Sequence, residues 1–323
     1  MAWSILDVYS TSQNKVYVDI NPATYFENKN YEIEIVPKSK EFKIHSTPNY
    51  NVASFLELEF SEIPRVLTID KQEYEVKEPN ACIIPIDLQL CLVFKNEWHR
   101  IPLVLEYYKR VHKVQRFILY DNQSTDPIPA EILAREDVIY HKWDIPYKHT
   151  ISDPKLLKDD YGGPQEIIIA QNSAYSHCLK RYRDAIWTTI LDTDEFIVRR
   201  RDNEPLLSLV KMTSPAIHSI VVRGFWSGCN SVQRDKLYEN LRKITKRSPN
   251  FCMNKLILRT AEHVFTNCIH SPYPTKGKLI MLAYERGYYF FHLYTASAKL
   301  RRCDCQKYCR VADRSFQESF AYM

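Results

Sequence analysis

The run IWTTILDTDE, residues 186–195, joins a short apolar segment directly to an acidic cluster. Its first six residues have the length and the β-branched content of a buried strand. In an extended segment Asp192 and Asp194 would point the same way, and two carboxylates on one side repel each other unless a cation neutralises them. Hard oxygen ligands suit Mg²⁺ or Mn²⁺. The run therefore predicts a strand that ends in a metal-binding pair, and an acidic turn that caps the next element is the alternative.

Segments on the N-terminal side of this run alternate between strand and helix patterns. Residues 88–94 are almost all apolar, as in a strand covered on both faces. Residues 99–112 have apolar positions at helical spacing, with Pro102 near the start, where its missing N–H costs little. The predicted order is strand 88–94, helix 99–112, strand 116–120, strand 138–140, helix 165–182 and strand 186–191. Such alternation is typical of an α/β fold with a mostly parallel sheet flanked by helices.

Polar clusters follow the predicted strands at residues 95–97, 121–126 and 192–195. Ligands of parallel sheets bind beyond the carboxyl ends of the strands, so these clusters are expected to share one site. Asp121 is placed to accept hydrogen bonds from a nucleobase imide, with Ser124 and Asp126 shaping the loop. A simple Asx turn is the alternative for this segment.

The N-terminal part of the chain has a different pattern. Residues 15–20 and 31–35 alternate between polar and apolar side chains, which is typical of half-buried antiparallel strands. We therefore expect a small β-rich domain over residues 1–85, the α/β domain over 86–300, and a tail or helix over 301–323.

Composition excludes several classes of protein. With six glycines in 323 residues, the chain has neither a G-x-G-x-x-G motif nor a P-loop, which leaves a metal as the natural partner for phosphate. The net charge of +5 is small for this length, so no nucleic-acid partner is expected. No signal peptide or apolar run of membrane-spanning length is visible. We accordingly expect a cytoplasmic protein without a membrane span, and the sequence does not predict its oligomeric state.

Three stretches together resemble glycosyltransferase family 92. Residues 95–102 lead into 116–126, with a strand followed by Asp-Asn-x-Ser-Thr-Asp, and residues 165–197 contain a glutamine-led helix, a tryptophan-bearing strand and Asp-x-Asp-Glu-Phe. The third stretch combines residues 225–228, 254–259, His270 and 292–294. The family's Phe-Gly element appears here as Phe225-Trp226, so the acceptor side is expected to differ.

The resemblance implies a GT-A fold and an inverting transfer of a hexose, most often galactose, from a UDP-sugar to a glycan hydroxyl. It also implies Mn²⁺ as the cofactor, with Mg²⁺ as a substitute. The implied metal ligands are Asp192, Asp194 and His292. The implied donor-binding residues are Asn96, Glu97, Asp121, Asp192 and Lys255, with His270 as a further residue near phosphate or acceptor.

An inverting transfer needs a carboxylate that takes the proton of the acceptor hydroxyl. Glu239 and Asp235 are our candidates for this base, while Glu262 and Glu285 lie in the same third of the chain and stay open. Two other functions also stay open. One is a nucleotidyltransferase that uses the same carboxylates, and the other is a non-catalytic carbohydrate-binding protein with a degenerate transferase fold.

Overall fold

The structure is a computed structural model. The residues that it describes are 4–10, 14–22, 34–46, 53–78, 85–151, 165–199, 204–227, 246–262, 279–293 and 311–312. The chain divides into two compact units. The first consists of residues 1–84, 143–184 and 264–267, and the second of residues 85–142, 185–263 and 268–323.

Most of the described elements are strands. The strands up to the first long helix are β1 Ile5–Ser10, β2 Lys15–Ile20, β3 Ile35–Val36, β4 Glu41–Ser46, β5 Ala53–Glu59, β6 Val66–Ile69, β7 Gln72–Glu75 and β8 Ile86–Phe94. The middle of the chain has α1 Ile101–His112, β9 Arg116–Asp121, α2 Ala130–Leu133, β10 Val138–Lys142, β11 Lys148–Ile151, β12 Gln165–Ile168, α3 Ala170–Arg181, β13 Ala185–Leu191 and β14 Glu195–Arg199. The remaining elements are α4 Leu206–Met212, β15 Ile217–Ser227, β16 Lys246–Arg259, β17 Leu279–Leu282, β18 Tyr288–Leu293 and β19 Val311–Ala312, with 3₁₀ turns at Thr260–Glu262 and Ala283–Arg286.

Ten of the described strands form one sheet in the second unit. Its main order is β10-β9-β8-β13-β16-β15-β18-β14, with β17 beside β15 and β19 beside β16. The first four strands of this order are parallel to one another. The strand β16 then runs antiparallel to both β13 and β15. The predicted α/β class is therefore confirmed, with four consecutive parallel strands in a mixed sheet in which β15 also pairs in parallel with β17 and β18.

The register of the sheet brings the predicted site residues to one edge. Leu191 at the end of β13 lies opposite Leu92 of β8, and Phe94 of β8 lies opposite Asp121 of β9. The segments that follow these three strands therefore leave the sheet side by side. Because β16 is antiparallel to β13, with Ile190 opposite Leu256, Lys255 also lies at this edge.

The helix α1 packs its apolar face on this sheet. Ile101, Val104 and Leu105 are fully buried, as their helical spacing predicts. The helix ends at Lys113, which adopts a left-handed conformation with φ of 59°. Gly224 shows how tightly the sheet is packed, because a Cβ at this position would lie 2.2 Å from the ring of Phe290.

The first unit contains small antiparallel sheets together with α3. Its main sheet has the order β1-β2-β5-β4, and β3-β6-β7 and β11-β12 form two smaller ones. The first of these confirms the expected β-rich N-terminal region. Its core consists of Val8, Val16, Val18, Ile20, Leu56, Leu58, Phe60, Leu67, Ile69 and Val76.

One predicted element differs from the structure, and another lies mostly outside the described residues. The helix predicted over residues 165–182 begins only at Ala170, because Gln165–Ile168 pairs with β11 as a strand. The strand predicted over residues 31–35 falls mostly outside the described residues, and only Ile35 of it is seen in β3. None of the described helices is long and apolar enough to cross a membrane.

Candidate active site

A tight turn directly after β13 contains the acidic cluster. The N–H of Glu195 donates to the carbonyl oxygen of Asp192 at 3.2 Å. The segment is thus a closed turn, whereas the sequence pattern predicts an extended segment, with an acidic turn as the alternative. Even so, Asp192, Asp194 and Glu195 each offer a carboxylate oxygen, and these three oxygens lie within 4.8 Å of one another. Hard oxygen donors at this spacing fit Mg²⁺ or Mn²⁺.

A buried lysine balances part of this negative charge. The Nζ atom of Lys255 lies 2.7 Å from Oδ2 of Asp192 and 3.0 Å from Oε2 of Glu195. Burial alone would lower the pKa of Lys255, but the two carboxylates more than offset burial and hold this pKa above its ordinary value. Lys255 is therefore a fixed positive charge beneath the acidic turn.

The middle residue of the turn faces another carboxylate. The buried hydroxyl of Thr193 donates to Oε2 of Glu97, and Oε1 of Glu97 accepts from Nη1 of Arg100 at 3.2 Å. Burial raises the pKa of Glu97, and the charges of Asp194 and Asp192 add to this rise, while Arg100 and Thr193 oppose it. Glu97 therefore links the turn to the start of α1.

Asn96 connects the segment after β8 to the segment after β9. It adopts a left-handed conformation with φ of 56°, which asparagine tolerates better than most residues. Its side-chain Oδ1 accepts from the N–H of Thr125 at 2.7 Å, and its own N–H donates to Oγ of Ser124 at 2.8 Å. The side chain of Asn96 thus shapes the loop over residues 121–126. Its predicted contact with the donor stays a prediction.

Asp121 at the end of β9 is buried within its own loop. Its Oδ1 accepts from the N–H of Ser124 at 3.0 Å, which is the Asx-type bond expected of the alternative interpretation. Tyr140 of β10 also hydrogen-bonds the carboxylate, and burial together with the charge of Asp121 raises the pKa of Tyr140 to about 12. Asp121 is accordingly held by its own loop and by β10, and its contact with a nucleobase stays a prediction.

The last two turns of α1 fix the strand that follows the acidic turn. The hydroxyl of Tyr108 donates to the carbonyl oxygen of Glu195 at 2.8 Å and accepts from the N–H of Ile197 at 2.9 Å. The hydroxyl of Tyr107 and Nε2 of His112 both lie within hydrogen-bond distance of the Ile197 carbonyl oxygen, at 2.6 and 2.7 Å. The position of Glu195 is therefore set by a helix as well as by its own sheet.

Several predicted site residues come together and others lie outside the described residues. The structure brings Glu97, Asp192, Asp194 and Lys255 into one cluster. The backbone of His292 lies opposite Glu195 in the β14–β18 pair, while its side chain is outside the described part. Glu239, Asp235 and His270 also lie outside the described residues.

The two remaining candidates for the base lie away from the acidic turn. Glu262 follows β16 beyond Arg259, which lies opposite Trp187 near the start of β13. Glu285 precedes β18 near Tyr288, which pairs with Arg199. Arg199 lies four residues, or about 13 Å, along β14 from Glu195. The register therefore separates both of them from Asp192.

Sequence reasoning did not assign roles to Thr193, Glu195, Arg100, Tyr108 or Tyr140. Thr193 and Glu195 belong to the acidic motif, so the sequence shows that they lie next to the two aspartates. It does not show which residues their side chains contact. Tyr108 lies on the buried face of α1, and nothing in the helical spacing signals that its hydroxyl contacts a strand 87 residues later.

A family comparison covers most of the chain after the N-terminal strands. The model of glycosyltransferase family 92 matches residues 87–322, which is more than two thirds of the chain. This chain belongs to glycosyltransferase family 92. The family predicted from the sequence motifs is confirmed, and its description is that of a glycosyltransferase family.

Solved glycosyltransferases are similar to the chain only in part. The apo structure of the bifunctional glycosyltransferase WbbM has 10% identity and a TM-score of 0.32, covering 63% of this chain and 36% of that one. Glucosyl-3-phosphoglycerate synthase from Mycobacterium tuberculosis, with Mn²⁺ and UDP, has 15% identity, a TM-score of 0.26 and 44% coverage of each chain. An active-site mutant of LgtC has 13% identity and a TM-score of 0.28, covering 54% of this chain and 57% of that one. The chain thus spans less than two thirds of each of these proteins, and no curated protein matched its sequence.

Proposed function

We propose that this family 92 glycosyltransferase is metal-dependent and moves a hexose from a UDP-sugar to a hydroxyl of a glycan acceptor. The convergence of Asp192, Asp194 and Glu195 at the carboxyl end of a parallel strand carries this proposal. Ligands of such sheets bind at that edge, and the single ammonium of Lys255 offsets only part of the negative charge of three carboxylates.

Asp192 and Asp194 would hold the metal, which is Mn²⁺ in our proposal, with Mg²⁺ as a substitute. The side chain of Asp192 is 31% exposed, so a cation can reach it from solvent. His292 is proposed as a third ligand because its backbone lies opposite Glu195. The metal would neutralise the charge that develops on the leaving diphosphate.

The chain's own residues would bind the nucleotide around this centre. Asp121 is proposed to accept from the uracil imide, at the end of the parallel strand β9. Lys255 supplies a fixed positive charge on the side of Asp192 that faces the sheet. Galactose as the sugar and inversion at its anomeric carbon follow the family resemblance. Glu239 and Asp235 remain the candidates for the base that takes the acceptor proton.

The first experiment is thermal unfolding with a panel of nucleotides and nucleotide sugars, each with and without Mn²⁺. A ligand that binds only the folded state raises the melting temperature. We expect a rise with UDP and with one UDP-sugar that requires Mn²⁺, and we expect Asp194→Asn to lose this rise while its own melting temperature in buffer stays near that of the wild type.

Turnover assays separate this proposal from its alternatives. A glycosyltransferase releases UDP, whereas a nucleotidyltransferase would release pyrophosphate. An Asp194→Asn variant that keeps full Mn²⁺-dependent turnover would refute the metal assignment. A protein that responds to no nucleotide, with or without metal, would favour the degenerate fold instead.

A further inference from the structure

The three carboxylates of the acidic turn differ in how the protein surrounds them. The side chain of Asp192 is 31% exposed, while that of Glu195 is fully buried. Oε2 of Glu195 accepts from the backbone N–H of Asp192 at 2.9 Å and contacts Nζ of Lys255 at 3.0 Å. That same ammonium lies 2.7 Å from Oδ2 of Asp192. Glu195 and Lys255 thus form a closed ring with the backbone and the carboxylate of Asp192.

This ring has a consequence for any cation that binds the turn. A buried ammonium close to Asp192 repels a second cation, and it can also hold the Asp192 carboxylate for itself. Glu195 shares the ammonium, so its negative charge offsets the positive charge of Lys255 and leaves the remaining oxygen of Asp192 for a ligand. The helix α1 reinforces this arrangement, because the hydroxyl of Tyr108 donates to the carbonyl oxygen of Glu195.

We infer that Glu195 is a positioning residue and not a metal ligand, acting through Lys255 to keep Asp192 available for the divalent cation. The inference rests on the proposed metal function, and it divides the acidic cluster into two ligands, Asp192 and Asp194, and one internal counter-charge. Asp192 is 31% exposed and Glu195 is fully buried, so a cation that arrives from solvent meets Asp192 first, while Oε2 of Glu195 is already shared by Lys255 and the N–H of Asp192.

The test uses Mn²⁺ alone and needs no sugar donor. Free Mn²⁺ is measured by electron paramagnetic resonance while the full chain is titrated, for the wild type, Glu195→Gln, Lys255→Met and the double variant. Loss of a partner that orients a metal ligand costs about tenfold to a hundredfold in metal affinity, and we expect about tenfold for Glu195→Gln. Lys255→Met is expected to bind at least as tightly as the wild type. The double variant is expected to recover to within about threefold of the wild type, because no ammonium remains to be offset.

A double variant that folds and binds as weakly as Glu195→Gln would overturn the inference, because Glu195 would then contribute directly. The spectrum of bound Mn²⁺ gives a second measurement that needs only the single variant. At saturating metal, Glu195→Gln is expected to show the wild-type zero-field splitting, and a changed splitting would place Glu195 on the metal. A wild-type protein that binds no Mn²⁺, or one whose binding survives Asp194→Asn, would overturn the metal proposal itself and this inference with it.

Discussion

Thr193 stands between the two aspartates, yet its side chain points to the protein and not to the proposed cation. It is 2% exposed, and its hydroxyl donates to Glu97. Removing the hydrogen-bond donor of a buried carboxylate lowers the free energy of unfolding by about 1–3 kcal/mol. The turn is therefore tied to the segment before α1 at the residue that separates the two proposed metal ligands.

Thr193→Val removes this hydroxyl and keeps the shape of the side chain. We expect kcat to fall about tenfold, because misplacing Asp192 and Asp194 should raise the activation free energy by about 1.4 kcal/mol. The KM for the donor should change less. The matched Thr193→Ser variant keeps the hydroxyl and should retain most of the activity. Steady-state kinetics at saturating Mn²⁺ measure both, and equal losses in the two variants would argue for packing instead of the hydrogen bond.

Residue by residue, the motifs named Asp192, Asp194, Glu97 and Lys255 as site residues but did not predict the contacts among them. Asp192 and Asp194 follow a recognisable strand, so local spacing was enough to find them. Lys255 lies 63 positions later, and only the antiparallel register of β16 against β13 brings it to the turn. Thr193 and Glu97 are 96 positions apart. Contacts of this kind depend on strand order, which a single sequence does not contain.

At the scale of elements, α1 and β14 are joined by polar groups as well as by apolar packing. His112 is fully buried, and its Nδ1 accepts from the N–H of Leu206 at 3.3 Å. Its Nε2 must then carry the proton that it donates to the carbonyl oxygen of Ile197. The imidazole is therefore neutral, and it holds the end of α1 to both β14 and the start of α4.

This histidine predicts a dependence of stability on pH. Burial lowers the pKa of His112 to about 4, below its ordinary value of 6.5. Between these two values the unfolded chain binds a proton that the folded protein does not, so the free energy of unfolding falls as the pH drops from 6.5 to 4. The loss should reach roughly 3 kcal/mol. Urea unfolding at several pH values should show this fall.

The control for this prediction is His112→Gln, which has no group that titrates in the window. It should be less stable than the wild type at pH 7, and its free energy of unfolding should fall less steeply between pH 6.5 and 4. Parallel profiles for the two proteins would mean that other groups cause the acid sensitivity.

The elements themselves were largely predictable because their patterns are local. The apolar run of β8 and the helical spacing of α1 each found the correct element. The start of α3 was missed because Gln165–Ile168 pairs with β11, so the tertiary structure decides between strand and helix there. The antiparallel direction of β16 was also missed, because β16 contains no local signal of its direction.

At the scale of the whole molecule, the first unit is built from separate pieces of the chain. Residues 1–84 and 143–184 belong to it, and buried ion pairs join them. Nε2 of His177 lies 2.9 Å from Oδ2 of Asp7. Burial would raise the pKa of Asp7, but the hydrogen bond with His177, with help from Lys77, holds this pKa below its usual range. We propose on this basis that the β-rich N-terminal domain needs α3 for its stability, whereas the sequence suggested a domain that ends near residue 85.

The pair between Lys180 and Asp19 tests this proposal. Their side chains are 0% and 4% exposed, with Nζ and Oδ1 2.5 Å apart, and the ammonium also lies 3.4 Å from the ring centre of Phe55. Lys180→Met leaves Asp19 buried without this cation, which should cost about 3–5 kcal/mol. Hydrogen exchange of peptides from β2 and β5 should then accelerate. Lys148→Met is the matched control, because its ion pair with Glu166 is exposed and should contribute at most about 1 kcal/mol. If Lys180→Met leaves exchange in β2 and β5 as slow as Lys148→Met does, α3 does not stabilise the N-terminal strands through this pair.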